Sequence, residues 1–143
     1  MIPGREPSAY AETDEMKTYC RTHGRVETLY GRRIHIPTIV DKNPARRNFA
    51  ERQAINAPIQ GSAADIIKRA MIRVPGALAD AKLKSVMLLQ VHDELLFEAP
   101  DKQVDKTVEV VREVMEGAAG PALELTVPLT VDAGIADNWA EAH

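Results

Sequence analysis

An α/β chain of the α+β kind is predicted: a small antiparallel sheet packed against helices, with a helix and a hairpin ahead of it. Three observations carry this. Residues 85–99 contain two apolar runs interrupted by His92-Asp93-Glu94, the pattern of a strand pair. Val104, Val108, Val111, Met115 and Ala118 recur at steps of four and three, the stripe of an amphipathic helix laid on a sheet. Residues 44–74 combine helix-start signals with helical periodicity.

Taken in order, residues 8–22 read as a polar helix ending near Gly24, and residues 26–36 as a hairpin turning around Gly31 and closed by Pro37. Asn43 followed by Pro44 reads as an N-cap with proline in the first helical turn, opening a helix towards Ala57. Pro58 and Gly61 are expected to break that helix before Gln60. Ser62 then caps a second helix, with Asp65 in a capping-box position. Its core face is Ala63, Ile66, Ile67, Ala70, Met71 and Val74, and Pro75-Gly76 interrupts it. Residues 85–91 and 94–99 form the hairpin, whose near-continuous apolar content implies burial on both faces. Val127 to Val131 are expected to add a final strand.

The 143 residues, 45% hydrophobic and 27% charged, suffice for one core and fit a soluble globular domain. Cys20 is the only cysteine, which excludes an internal disulfide and a multi-cysteine zinc site. No apolar run approaches the roughly 20 residues that span a bilayer, and residues 1–12 lack a basic start followed by an apolar stretch. A cytoplasmic location without membrane partners is therefore expected. The net charge of −3 hides a division. Residues 21–73 hold eleven Lys or Arg against four Asp or Glu, whereas residues 74–143 hold five against thirteen. Arg32, Arg33, Lys42, Arg46, Arg47, Arg52, Lys68 and Arg69 thus belong to a segment suited to tracking phosphates, or else to an ordinary solvated surface.

Two segments carry candidate chemistry. Asp93 and Glu94 are adjacent carboxylates beside His92, between apolar runs. Such a pair, if desolvated, favours either a raised pKa or a bound divalent cation. The same residues also read as a solvated hairpin tip, although the turn contains no Gly, Asn or Pro. Upstream, Arg52, Asn56 and Gln60 recur every four positions. On a continuous helix such side chains drift by only about 40° per step and form one stripe. Arg, Asn and Gln donate to the A N3 and T O2 acceptors of the duplex minor groove, which are present at every pair and say little of sequence. A solvated helix face would show the same spacing.

Together these segments resemble family A DNA polymerases. Residues 51–68 are similar to the family's helix following the fingers, and Val91-His92-Asp93-Glu94 to its palm motif C. Val26 to Arg33 resembles the hairpin joining fingers to palm, and Asp137-Asn138-Trp139 with Ala142-His143 the family's C-terminal ending. The resemblance runs from about residue 7 to the end.

It implies a catalytic and metal role for Asp93, which would ligate two Mg²⁺ ions, assisted by Glu94, with His92 against the primer terminus. It implies that Arg52, Asn56 and Gln60 bind DNA near the nascent base pair. The implied partners are primer-template DNA and a dNTP. Two-ion nucleotidyl transfer fits carboxylate ligands completed by substrate phosphates. The family's second aspartate, from an Asp-Tyr-Ser-type motif, is absent, as is the helix that binds the triphosphate. Only half of the protein ligands for Mg²⁺ are thus present. The chain is expected to be a fragment needing the missing N-terminal part of the polymerase, with residues 1–40 a remnant of the fingers and connecting hairpin and residues 41–143 a portion of the palm. A location beside the nucleoid follows.

A non-catalytic DNA-binding remnant and a metal-dependent hydrolase on the same carboxylates are the alternatives. His23, His35 and His143 lie far apart and read as surface or capping residues, and Ser62 lacks the Gly-x-Ser-x-Gly elbow of a serine hydrolase.

Overall fold

The computed structural model describes residues 13–142. The part of the first predicted helix before residue 13, and His143, lie outside the described residues. The chain divides into two compact units, Met1–Asp65 and Ile66–His143, and the division falls inside one helix.

In the first unit, α1 (Thr13–His23) leads into β1 (Arg25–Glu27), which pairs antiparallel with β2 (Arg33–His35). Gly24 and Gly31 take φ of 68° and 77°, the left-handed values that glycine adopts without steric cost. A 3₁₀ turn at Pro37–Val40 follows, and then α2 (Pro44–Asp80) begins. Asn43 caps α2 as its sequence position predicts: Oδ1 accepts the N–H groups of Ala45 at 2.9 Å and Arg46 at 3.4 Å. Met16 and Cys20 of α1, Val26, Ile36, Ile39, and Ala50 and Ala54 of α2 form the core of this unit.

The expected break near Gln60 does not occur, since α2 runs unbroken for 37 residues through Pro58, Gly61 and Pro75-Gly76. Ser62 caps nothing; its Oγ donates to the Pro58 carbonyl and accepts the Leu29 N–H at 2.9 Å. Asp65 is turned to Arg32 instead of a helix end. Local breaking tendencies yield here because the helix buries residues along its length, Ala50 and Ala54 in the first unit and Ala70, Val74 and Leu78 in the second. Of the anticipated core face, Ala70 and Val74 are fully buried, Ile66, Ile67 and Met71 are half-buried, and Ala63 is exposed.

In the second unit, β3 (Val86–Val91) and β4 (Glu94–Glu98) form a two-stranded antiparallel sheet, and α3 (Val104–Glu116) follows a 3₁₀ turn at Asp101–Gln103. Val74, Leu78 and Val111 centre the core, with Met87, Phe97, Val110, Val114 and Met115 against it. The hairpin stands where the apolar runs predict it, but it is not buried on both faces: Val86, Leu88 and Leu89 are 56%, 51% and 43% exposed. Two-sided burial needs a layer on each face, and among the described residues this core supplies one. A register shift between Met87 and Leu89 further turns Leu88 out of the ladder.

The strand expected at 127–131 is irregular chain, with Val127 72% exposed. Side chains of α3 occupy the backbone groups a strand would use, Arg112 Nε donating to the Val131 carbonyl at 3.1 Å and Glu116 accepting the Val131 N–H at 3.2 Å. A short α4 (Trp139–Ala142) starts at Asn138, whose Oδ1 accepts the Glu141 N–H. No helix among the described residues is long and apolar enough to cross a membrane.

Candidate nucleic-acid interface and acidic turn

Because α2 is continuous, the spacing of Arg52, Asn56 and Gln60 becomes a true stripe, and all three side chains line one groove of about 280 Å³ in the first unit. Ile34, His35 and Ile36 of the β2 segment form its other wall, with Phe49, Gln53 and Ala57 of α2. Arg52, Gln53, Asn56 and Gln60 are exposed, so their donors face solvent. The Arg52 guanidinium carbon lies 5.9 Å from the centre of the Phe49 ring, a cation–π contact that steadies a long side chain at the mouth of the groove.

Phe49, Gln53 and His35 were not singled out as ligand-facing by spacing. Phe49 and Gln53 could have been found, since Phe49, Gln53, Asn56 and Gln60 keep steps of four, three and four on one face. His35 could not, because it reaches the groove from a strand. His23 is an exposed helix-end residue, its Nδ1 3.0 Å from the Tyr19 carbonyl and its ring stacked on Tyr19 at 4.1 Å.

The acidic turn is the tip of the β3–β4 hairpin. His92 and Asp93 are its two turn residues, and Glu94 is the first residue of β4, paired with Val91. His92 holds φ of 52°, a left-handed value disfavoured for a residue with a Cβ, at a position where hairpins ordinarily carry glycine. Gln90 Nε2 donates to the His92 carbonyl at 2.8 Å and ties the turn to its own strand.

All three ionisable residues are exposed, so the burial inferred from the flanking apolar runs is not realised. His92 and Asp93 form a two-residue turn, which projects its side chains into solvent, and Glu94 follows at the exposed start of β4. Carboxylate oxygens at Asp93 and Glu94 are the hard donors that Mg²⁺ prefers. Among the described residues no group of three metal-ligating side chains gathers.

The basic segment is partly committed to structure. Arg32 pairs with Asp65 at 2.7 Å and Arg46 with Asp41 at 3.7 Å, and Arg69 donates to the carbonyls of Ala118 and Gly120. Arg33 lies 3.6 Å from Glu27, whereas Lys42, Arg52 and Lys68 keep exposed positions.

Comparisons with known proteins bear on most of the chain. The family model described as DNA polymerase family A matches residues 7–141. The chain is 53% identical over 141 residues to DNA polymerase I of Rhizobium leguminosarum and 47% identical over 139 residues to that of Pseudomonas aeruginosa, in each case over 97% of its own length. It spans only 14% and 15% of those relatives. Among solved structures it is similar to the POL domain of Pol1 from M. smegmatis in complex with DNA primer-template and dNTP. That likeness has a TM-score of 0.82 and 46% identity, and covers 92% of this chain and 23% of that one. The chain belongs to DNA polymerase family A.

Proposed function

We propose that this chain is the part of a DNA-directed DNA polymerase that grips the duplex near the primer end and supplies one side of the catalytic metal site. The observation that carries the reading is the donor row: Arg52, Asn56 and Gln60 line one groove on an unbroken helix. Their donors suit the minor-groove acceptors shared by all correctly paired ends, so they hold a duplex without reading its sequence. The solved relative's primer-template and dNTP support the same partners here.

In this reading Asp93 and Glu94 hold Mg²⁺ and His92 lies beside the primer terminus. When bound, the ions activate the attacking 3′-oxygen and stabilise the leaving pyrophosphate. Asp93 and Glu94 make up half of the protein ligands, and a second aspartate and the triphosphate-binding helix come from an N-terminal part of the polymerase. Residues 1–40 then belong to the fingers and their connecting hairpin, residues 41–143 to the palm, and the enzyme works in the cytoplasm at the nucleoid. The 143-residue chain alone is inactive.

Primer extension with Mg²⁺ and four dNTPs tests this, using the chain alone, the complete polypeptide that carries it, and that polypeptide with Asp93→Ala. Only the unaltered complete polypeptide is expected to elongate, and Asp93→Ala is expected to keep its affinity for primer-template. Extension by the isolated chain, or near-normal turnover in Asp93→Ala, overturns the metal assignment. A non-catalytic DNA-binding remnant is the second reading, favoured by the incomplete ligand set at the turn among the described residues. It predicts duplex binding with no elongation by any form.

A further inference from the structure

Pro58 has no N–H, so the Ala54 carbonyl lacks its ordinary helical donor in the middle of the row formed by Arg52, Asn56 and Gln60. Proline positions are where helices kink. Yet α2 runs on through Gln60, and from the very next residue it is held from outside. A Cβ on Gly61 would lie 2.7 Å from Thr28 Cγ2, 3.1 Å from Ile34 Cδ1 and 3.2 Å from Arg32 Nη2, so the β1–β2 turn sits directly on the helix backbone.

Arg32 fastens this junction with both arms of its guanidinium. Nη2 donates to the Gly61 carbonyl at 3.1 Å and Nε to Asp65 Oδ1 at 2.7 Å. Ser62 Oγ accepts the Leu29 N–H one helical residue further on, and Thr28 Oγ1 accepts the Arg32 N–H at 3.2 Å, closing the turn behind the arginine. Asp65 Oδ2 is buried and has no hydrogen-bond partner, so Arg32 supplies the carboxylate's ion pair through the other oxygen.

We propose that Arg32 is a positioning residue for duplex binding: by gripping Gly61 and Asp65 it keeps α2 helical past Pro58 and so holds Gln60 in line with Asn56 and Arg52. The proposal rests on the donor-row reading above. Arg32 then acts on DNA through Gln60, not through its own charge. Hydrogen bonds fail over a few tenths of an ångström beyond about 3.2 Å, so a small bend at Pro58 is enough to take Gln60 off its acceptor.

The test measures affinity of the complete polypeptide for two primer-templates, one ordinary and one with 3-deazaadenine at the primer-terminal pair, which removes the minor-groove N3 acceptor. Gln60→Ala is expected to abolish the preference for the ordinary duplex. Arg32→Ala and the isosteric Asp65→Asn are each expected to cut that preference by about threefold or more, and Arg32→Ala with Gln60→Ala to be no worse than Gln60→Ala alone.

Full preference in Arg32→Ala and Asp65→Asn beside a lost one in Gln60→Ala overturns the proposal and leaves the donor row standing. Losses of affinity for the ordinary duplex that add in the double variant also overturn it. An equal loss on both duplexes in Arg32→Ala, with a shallower salt dependence and no effect of Asp65→Asn, makes Arg32 a phosphate contact and overturns it too. Full preference in Gln60→Ala overturns the donor-row reading and the proposal with it.

Discussion

The side-chain amide of Gln90 donates to the main-chain carbonyl of His92 at 2.8 Å, and His92 itself sits at φ of 52°. A strained residue is thus pinned at the tip of a hairpin whose next two side chains are carboxylates. Turn chemistry alone would place glycine there.

His92→Gly separates strain from use. Relief of the left-handed penalty is expected to leave the hairpin as stable or stabilise it by up to about 1 kcal/mol. Elongation by the complete polypeptide is expected to fall because the imidazole is gone. Thermal melting read beside primer extension checks this, and unchanged extension would mean that the histidine is only a turn residue.

Two glycines of α2 are expected to respond in opposite directions to the same change. At Gly61 an added methyl group meets Thr28 at 2.7 Å, so Gly61→Ala should destabilise by about 1–3 kcal/mol. At Gly76 nothing lies within 4 Å, and Gly76→Ala should stabilise by about 0.5–1 kcal/mol through helix propensity. Urea denaturation of both variants decides it.

Arg69 and Arg73 bind the carbonyls that follow α3. Arg69 reaches Ala118 and Gly120, and Arg73 reaches Gly117 and Gly120, the last at 2.6 Å. Replacing Arg73 by Ala or by Met is expected to cost about 1 kcal/mol, since the Gly117 carbonyl loses its charged donor and the Gly120 carbonyl keeps only Arg69. Hydrogen exchange should show faster opening of residues 117–120 with α1 unaffected; uniform protection would refute the role.

Cys20 is fully buried, and burial pushes its thiol pKa above the ordinary value, with the Arg21 charge opposing. Thiolate is the reactive form, so raising the pKa suppresses reaction at neutral pH. Alkylation of the folded chain at about pH 8 is expected to be many-fold slower than in urea. Equal rates would place Cys20 outside the core.

Arg52→Ala in the complete polypeptide is expected to weaken primer-template binding by about tenfold, as loss of a charge-assisted donor does, with little change in the melting temperature. A binding isotherm beside a thermal melt distinguishes this from unfolding.

The hairpin at 86–98 and the helix at 104–116 were legible because their apolar periods are long and their boundaries are marked by polar residues and Pro100. The N-cap at Asn43 and the left-handed turn at Gly31 were legible because each is settled by two or three neighbouring residues. Pro58, Gly61 and Ser62 misled for the same reason. Read locally they end a helix, but Gly61 is small because a turn thirty residues away in sequence passes over it, and Ser62 serves Leu29 in that turn.

The sequence by itself determined the first hairpin, the β3–β4 hairpin, α3, the family motifs and the spacing of Arg52, Asn56 and Gln60, all properties of short stretches of chain. Tertiary structure alone decided that α2 is one helix, that His35 shares a groove with that row, and that the hairpin tip is exposed. The physical reason is that burial and close approach are contributed by residues distant along the chain, and where they act they outweigh the fraction of a kilocalorie to few kilocalories by which any one residue favours or breaks a helix.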